Sequence, residues 1–280
     1  MPNPIADPLV ENVDTDSNSD LVRLAATPQG AATVTINRPG KKNAFNDEVI
    51  AALGQAFETL QGAEGVRVVF LRGAGGTFSA GADLDWMRGA ADRTQDDNRA
   101  DAMAMAVMLK RLYDLPALTV ALVEGGAFGG GAGLAAACDM AVATADAKFA
   151  FSEVKLGLIA ATVSPYVVAA IGPRKARRLF ATGEVFAADY ARQIGLVDEV
   201  VADRAALDAT EARIATAILA CAPQAVDQSK RLVEHVIGRH LDHALMADTA
   251  HRIAAKRVGE EGQAGVAAFL AGRKPPWAEP

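Results

Sequence analysis

The stretch LTVALVEGGAFGGGAGLAAACD (118–139) decides the fold, because it runs from an apolar strand through a cluster of glycines into an alanine-rich helix. A second stretch, RVVFLRGAGGTFSAGADL (67–84), has the same order of strand, glycine turn and helix start. Such turns present backbone N–H groups to a negatively charged atom. One turn alone is as well explained by tight packing, but two in matched contexts favour a pair of N–H donors that converge on one oxygen.

Several nucleotide-binding and hydrolase motifs are missing from these turns. Neither turn has the G-x-G-x-x-G register of a dinucleotide-binding loop, and the chain contains no G-x-x-x-x-G-K-[ST] segment. No G-x-S-x-G nucleophile elbow occurs either. A Rossmann dehydrogenase is therefore a disfavoured interpretation.

Outward from the two turns, the pattern of strand, strand and helix recurs through the first two-thirds of the chain, and helices fill the last third. This order predicts an α/β fold with a mobile tail at 1–20, a core at 21–203 that contains the site, and a helical oligomerisation region at 204–280. Strands are predicted at 21–26, 32–36, 67–72, 118–123, 139–145, 148–151 and 196–201, and helices from 46, at 98–113, at 134–138, from 164, and at 204–220, 223–237, 242–256 and 259–270.

Composition limits the class of protein. The chain has 280 residues, of which 51% are hydrophobic and 22% charged, with a formal net charge of −6. A chain of this length buries roughly 75% of the surface that its unfolded form exposes, so it needs no disulfide or metal to fold. The apolar content excludes general disorder, and the acidic balance disfavours nucleic acid as a partner.

Cysteine content and hydropathy bear on location. Cys138 and Cys221 are the two cysteines and cannot form a disulfide framework, so we expect a reducing compartment, the cytoplasm. The N-terminus lacks the features of a signal peptide, and no apolar run reaches 18 residues, so we expect no membrane span. His240 and His243 have helical spacing but no converging carboxylate, and we expect no metal site.

Four motifs resemble, in order and spacing, those of the enoyl-CoA hydratase/isomerase family, the crotonase superfamily. They are NRPGKKNAF (37–45), FSAGADL (78–84), GGAFGGGAGLAAACD (125–139) and FSEVKLGL (151–158). The ending AFLAGRKPPW (268–277) is also similar, so the resemblance covers roughly residues 21 to 277. It implies a spiral of β-β-α units with a helical C-terminal region that builds trimers, often paired into hexamers.

The resemblance implies roles for backbone groups in the two turns. It assigns the N–H groups of Ala82 and Gly130 to an oxyanion hole for a thioester carbonyl. It also places the backbone of Ala44, Ala80 and Ala82 against the adenine end of coenzyme A. Negative charge develops on the carbonyl oxygen when an enoyl thioester is hydrated or deprotonated, so two preorganised donors there contribute several kcal/mol to the transition state.

Basic residues are implied near the phosphates of coenzyme A. Lys42 matches one such position, and Arg273 and Lys274 match a C-terminal basic patch. Lys42 taken alone is equally well explained as a solvated surface charge. Coenzyme A is part of the substrate in this family, so the resemblance implies no separate cofactor and no metal, and its partners are an acyl-CoA thioester and further copies of the chain.

The catalytic carboxylates decide which activity is implied. Hydratases of this family typically use two glutamates, one just after the glycine triplet and one further along. Gly133 stands at the first position and Glu153 at the second, so one carboxylate is left. A lone glutamate could be a salt-bridge partner. Within FSEVKLGL we expect Glu153 to be the general base and acid, because an apolar pocket moves its pKa toward working pH.

The flanking residues resemble most the bacterial methylglutaconyl-CoA hydratases of leucine and isoprenoid-acid breakdown, which also have glycine at the position of Gly133. Their substrates have a distal carboxylate, for which Asn98 and Arg99 are candidate partners. Ala160 stands where that branch normally has proline. The leading interpretation is an enoyl-CoA hydratase with one glutamate, and 3-methylglutaconyl-CoA or a related branched thioester is a candidate substrate.

Two alternatives stay open. A Δ3,Δ2-enoyl-CoA isomerase needs a single carboxylate to move one proton between two carbons, which Glu153 can supply. An interpretation from another class is a non-catalytic acyl-CoA-binding paralogue or assembly scaffold, in which Gly133 marks lost activity.

Overall fold

The computed structural model describes residues 21–278, so the tail predicted at 1–20 lies outside the described residues. In chain order the strands are β1 (Val22–Ala26), β2 (Ala31–Ile36), β3 (Val68–Gly73), β4 (Leu118–Val123), β5 (Gly126–Phe128), β6 (Met140–Thr144), β7 (Lys148–Ala150), β8 (Phe186–Ala187) and β9 (Glu199–Val201). The helices are α1 (Asp47–Gly62), α2 (Leu84–Gly89), α3 (Gln95–Tyr113), α4 (Gly130–Ala136), α5 (Ser164–Thr182), α6 (Ala188–Ile194), α7 (Arg204–Leu219), α8 (Pro223–Val236), α9 (His243–Val258) and α10 (Glu260–Leu270).

The strands form two sheets. The larger has the order β1-β2-β3-β4-β6-β9, in which β1 and β2 form the predicted antiparallel hairpin and the other neighbours are parallel. The smaller has the order β5-β7-β8. Because parallel strands end at the same edge, the glycine turns that follow β3 and β4 lie side by side.

Helix starts follow ordinary capping chemistry. The Asn46 side chain accepts a hydrogen bond from the Val49 N–H and begins α1, as its position before two acidic residues predicts. Thr94 and Asp97 form a capping box, so α3 begins at Gln95 rather than at the predicted 98. Helix α4 begins at Gly130, inside the glycine cluster and four residues before its predicted start.

The large sheet has an apolar layer on each face. Val69 and Leu71 of β3 face one core, and their neighbours Val68 and Phe70 face a second core that α7 completes. The continuous apolar run in β3 therefore reflects burial on both faces, which is usual for parallel strands. Helix α7 follows the boundary predicted at 203 yet packs on the sheet; the division of the chain there stays a prediction.

The α/β fold class with a helical C-terminal region is confirmed. Sequence patterns did not predict the short elements β5, β8 and α2. These elements have two to six residues, too few for a clear period. Between residues 21 and 278, no helix is both long and apolar enough to cross a membrane.

Candidate active site

One isolated bridge joins the two glycine turns, and a second joins the first turn to the segment after β2. Ser79 pairs with Ala127 and Phe45 pairs with Ala82, both in the parallel sense. The Ser79 N–H donates to the Gly126 carbonyl at 3.0 Å, and the Phe128 N–H donates to the Ser79 carbonyl at 3.0 Å. The first turn is therefore bonded directly to the second, as the matched contexts of the two stretches predict.

Gly81 marks the closest approach of the two turns. Its φ is +85°, and a Cβ at this position would lie 2.6 Å from the Phe128 carbonyl oxygen and 3.6 Å from the Gly130 nitrogen. The positive φ disfavours any other residue, and the short distance to the Phe128 carbonyl leaves no room for a side chain. Glycine is therefore required here. As a consequence, Ala82 and Gly130 belong to adjoining stretches of backbone.

The N–H groups of Ala82 and Gly130 are both free to bind a ligand. The Phe45 N–H donates to the Gly81 carbonyl and the Asp83 N–H donates to the Phe45 carbonyl, so the intervening Ala82 directs its own N–H to the other side. Gly130 is the first residue of α4, where an N–H has no partner inside the helix. Within residues 21–278, neither N–H is bonded to an acceptor. The pair can therefore stabilise a negatively charged oxygen.

Both residues line a cavity of about 510 Å³. Its wall is mostly apolar, and Glu153 is the one charged side chain among its described lining residues. Those residues are Phe45, Ile50, Ala80, Gly81, Ala82, Leu84, Trp86, Met87, Met105, Gly129, Gly130, Ser152, Glu153, Leu156, Gly157, Leu158, Ile159, Ala160, Thr162 and Val163.

The Glu153 carboxylate is held in this cavity against the second turn. Glu153 begins a short 3-10 turn just after β7, and its Oε1 would lie 3.1 Å from a Cβ placed on Gly129. Its Oε2 is buried and has no hydrogen-bond partner in the described chain. Burial raises the pKa of Glu153, because it disfavours the charged form and no described residue of the cavity wall is a cation. A carboxylate in this state is suited to take and return a proton near neutral pH.

Val163 packs against Gly133, the position at which the other glutamate was expected and is missing. A Cβ on Gly133 would lie 2.1 Å from Val163 Cγ1 and 2.4 Å from Val163 Cβ. Val163 is buried and also lines the cavity. The space that a side chain at position 133 would need is thus filled by Val163, a long-range contact that the sequence patterns do not reveal.

Asn43 ties the segment after β2 to the first glycine turn. It is fully buried with φ of +57°, a conformation that asparagine tolerates better than most residues. Its Oδ1 accepts from the Arg38 N–H at 2.9 Å, and its Nδ2 donates to the carbonyls of Ala74 (2.8 Å) and Thr77 (2.6 Å). Its own carbonyl accepts from the Ser79 hydroxyl at 2.8 Å. Sequence analysis of NRPGKKNAF missed this role, although asparagine in a turn was an available signal.

A partly buried ion pair adds a second tie at the same place. Arg38 Nη1 lies 2.5 Å from Asp83 Oδ2 and 3.2 Å from the Ala44 carbonyl oxygen. Asp83 Oδ1 accepts from the Asp85 N–H and caps α2. Burial alone would raise the pKa of Asp83, but the hydrogen bond from Arg38 and that from Asp85 hold it below its ordinary value. The residue after Ala82 is therefore fixed on two sides.

Several residues with predicted binding roles lie at or near the cavity. Ala80 lines it, and its N–H donates to the Lys42 carbonyl at 2.9 Å. Ala44 is buried beside it, whereas the Lys42 side chain is exposed and its backbone is left-handed, with φ of +50°. These positions are compatible with a ligand at the cavity mouth; the roles stay predictions.

Other predicted residues are not brought to the cavity. Arg273 and Lys274 are exposed and precede Trp277, whose carbonyl accepts from Arg67 at the start of β3, whereas the glycine turns follow the ends of β3 and β4. Asn98 donates to the Ala90 carbonyl, and Arg99 pairs with Asp96 in solvent. A chain-local pattern cannot place such residues, because their position relative to the turns depends on how α3 and the last third of the chain pack.

Comparisons with known proteins show which family the chain is similar to. The family model described as enoyl-CoA hydratase/isomerase matches residues 26–280. The crystal structure of an enoyl-CoA hydratase from Shewanella pealeana is 38% identical with a TM-score of 0.88, covering 92% of this chain and 96% of that one. Pseudomonas aeruginosa AtuE is 36% identical with a TM-score of 0.88, covering 92% and 100%. The 1,2-epoxyphenylacetyl-CoA isomerase of Escherichia coli is 30% identical over 260 residues, 90% of this chain and 96% of that protein.

We expect Asn43→Ala to lower the free energy of unfolding by about 3 kcal/mol or more, because it leaves three backbone groups without partners and places alanine at positive φ. Asn43→Gly is the matched control, since glycine accepts the backbone conformation but also lacks the three hydrogen bonds. The difference between the two variants in the free energy of unfolding, measured by urea denaturation, gives the cost of placing alanine at positive φ. An Asn43→Ala protein within 1 kcal/mol of wild type, an error of the usual size for such measurements, would contradict the role assigned to this side chain.

Proposed function

The chain belongs to the enoyl-CoA hydratase/isomerase family, and from this premise we propose that it adds water to the double bond of an enoyl-CoA thioester. One observation carries the proposal: an unpartnered carboxylate, Glu153, lies in the same apolar cavity as the free N–H groups of Ala82 and Gly130. This arrangement joins a proton carrier to an anion-binding pair, which is what addition to a conjugated thioester requires.

In the proposed reaction the thioester oxygen accepts hydrogen bonds from Ala82 and Gly130. Water adds to the β-carbon while one of its protons passes to the Glu153 carboxylate, and the electron pair of the double bond moves onto the thioester as an enolate. The two N–H groups hold the enolate oxygen, each contributing about 2.7–4 kcal/mol by analogy with other oxyanion holes. Protonated Glu153 then delivers its proton to the α-carbon. One carboxylate therefore begins and ends the cycle in the same state.

Binding of coenzyme A is proposed to involve the backbone of Ala44, Ala80 and Ala82 and the side chain of Lys42. Arg273 and Lys274 do not line the cavity of their own chain, and we propose that they meet the phosphates of coenzyme A bound to a neighbouring subunit. No metal or separate cofactor enters the proposed reaction, since the thioester oxygen has its two donors already. The unpaired Cys138 and Cys221 support a reducing location such as the cytoplasm.

The acyl group is proposed to be compact and branched. The resemblance favours 3-methylglutaconyl-CoA, whose acyl group ends in a carboxylate. However, the described lining has no cation, and burying that carboxylate unpaired next to Glu153 is costly. The lining therefore supports a branched hydrocarbon group better than a distal carboxylate.

We expect Glu153→Gln to lower turnover by about 10² or more while leaving binding of the CoA ester in place, because the amide keeps the shape but cannot carry the proton. Wild-type kcat/KM should fall on the acid side through a pKa above the usual carboxyl range, since a protonated Glu153 cannot accept a proton from water. Mass analysis after incubation with crotonyl-CoA, a branched 2-enoyl-CoA and 3-methylglutaconyl-CoA measures the added water.

Adding a 3-enoyl-CoA to the same incubations and separating the products by chromatography before mass analysis distinguishes the alternatives. An isomerase converts the 3-enoyl-CoA to a 2-enoyl-CoA of equal mass but different retention, whereas a non-catalytic paralogue binds the esters and changes none of them. A Glu153→Gln enzyme with near-normal turnover on its best substrate would overturn the proposed role of Glu153. Of the proposed mechanism, only the role of the Ala82 and Gly130 N–H groups would then be supported.

We expect Gly133→Glu alone to destabilise the protein by about 1–3 kcal/mol, because the new Cβ overlaps Val163. Val163→Ala does not relieve the overlap, since the Val163 Cβ itself is 2.4 Å from the built atom. Val163→Gly removes the overlapping atoms. The double variant Gly133→Glu/Val163→Gly should therefore be more stable than Gly133→Glu and should hydrate crotonyl-CoA faster than wild type. Urea denaturation and initial rates measure both, with Val163→Gly as the control; a fully stable Gly133→Glu single variant would refute the packing argument.

A trimer or hexamer is proposed for the assembly. Large apolar side chains are exposed along the C-terminal helices and their connections, more than a monomer usually leaves to solvent. They are Leu232, Val233, Ile237, Leu241, Met246, Ile253, Val258, Val266, Phe269 and Leu270. We expect light scattering at micromolar concentration to give three or six times the chain mass, and Phe269→Asp to lower it; a monomeric wild-type mass would exclude this assembly.

A further inference from the structure

A second cavity adjoins the candidate active site. It has about 390 Å³ and lies beside α1 and α3, which pack against each other. The two cavities share two lining residues, Ile50 of α1 and Trp86 of α2. These two side chains therefore form the partition between the space beside Glu153 and the space beyond.

Trp86 is the larger part of this partition. Ile50 is a core residue with 4% of its surface exposed, and its position is set by the buried face of α1. The Trp86 indole Nε1 is buried and finds no acceptor in the described chain. A buried N–H normally has a partner, so the ring is held at this place by packing rather than by a hydrogen bond.

The second cavity is suited to a hydrocarbon chain. Most of its wall is apolar: Ala51, Gly54, Ala100, Met103, Ala104, Val107 and Met108 line it together with the partition. Of its three charged lining residues, Arg111 pairs with Glu58 at 3.1 Å, Asp101 pairs with Arg93, and Asp47 is exposed to solvent in the first turn of α1. Met103 and Val107 are partly in solvent, so the far end of the cavity is open.

We propose that Trp86 is a specificity-determining residue, which limits the acyl group to a compact size by closing the active-site cavity against this second apolar space. The inference rests on the proposed function, because it takes the acyl carbons to lie beside Glu153. Straight long-chain enoyl-CoA esters are then poor substrates of the wild-type protein, although the room for them exists behind one side chain.

The test is a graded series, Trp86→Phe, Trp86→Leu and Trp86→Ala, assayed for kcat/KM on short, medium and long straight-chain 2-enoyl-CoA esters. The ratio of long-chain to short-chain kcat/KM should rise as the side chain shrinks, by up to about fourfold for each further methylene that the joined cavity buries. Met87→Ala is the matched control, because Met87 lines the active-site cavity but is no part of the partition. It should enlarge that cavity without the progressive gain for longer chains.

Binding of saturated acyl-CoA esters, measured by calorimetry on the same proteins, separates the two proposals. If no variant turns over any enoyl-CoA but the affinity of Trp86→Ala still increases with chain length, the proposed function fails and this inference stands. If wild type is active and every variant keeps its dependence on chain length in both assays, the inference is overturned. Should Trp86→Ala not fold by circular dichroism, Trp86→Leu decides the outcome by the same criteria.

Discussion

The site depends on the hydrogen bonds of one buried asparagine. Asn43 joins the segment after β2 to the turn after β3 through Arg38, Ala74 and Thr77. Buried backbone groups in a turn have to be satisfied, and here a single side chain satisfies three of them. The bridge between Phe45 and Ala82 follows only a few residues further on, so the direction of the Ala82 N–H depends on this tie.

The pKa of Glu153 depends on the cavity wall, which has no cation among its described residues. A carboxylate in an apolar wall without a cation has a raised pKa, and that is a cost to the folded protein whenever the group is charged. The same cost makes the group a better proton carrier, because its pKa lies closer to working pH. In the proposed reaction, the free N–H groups of Ala82 and Gly130 compensate the negative charge that develops on the thioester oxygen, and not the charge of the glutamate.

Close packing around the glycines decides which side chains fit beside the cavity, and therefore which reactions the site can catalyse. Gly81 and Gly129 allow the backbone to approach Phe128 and the Glu153 carboxylate, whereas the room beside Gly133 is taken by Val163. The absence of a second carboxylate is therefore part of the packing and not only a change of residue at one position. A cycle in which one carboxylate takes and returns the same proton is consistent with this arrangement, for hydration and for movement of a double bond alike.

Local patterns in the sequence determined much of this protein. They gave the hairpin of β1 and β2, the strands β3, β4 and β6, the two glycine turns and the later helices, because periodicity and glycine content act over a few neighbouring residues. The motif around Glu153 pointed to the carboxylate that the structure places in the cavity. Short elements such as β5 and α2 were missed because three to six residues are too few to show a period. Only the tertiary structure decided the bonds of Asn43, the contact of Val163 with Gly133, the partition formed by Trp86 and the hydrogen bond between Arg67 and Trp277. Each of these joins residues that are far apart in the chain, and packing, not local propensity, selects such contacts.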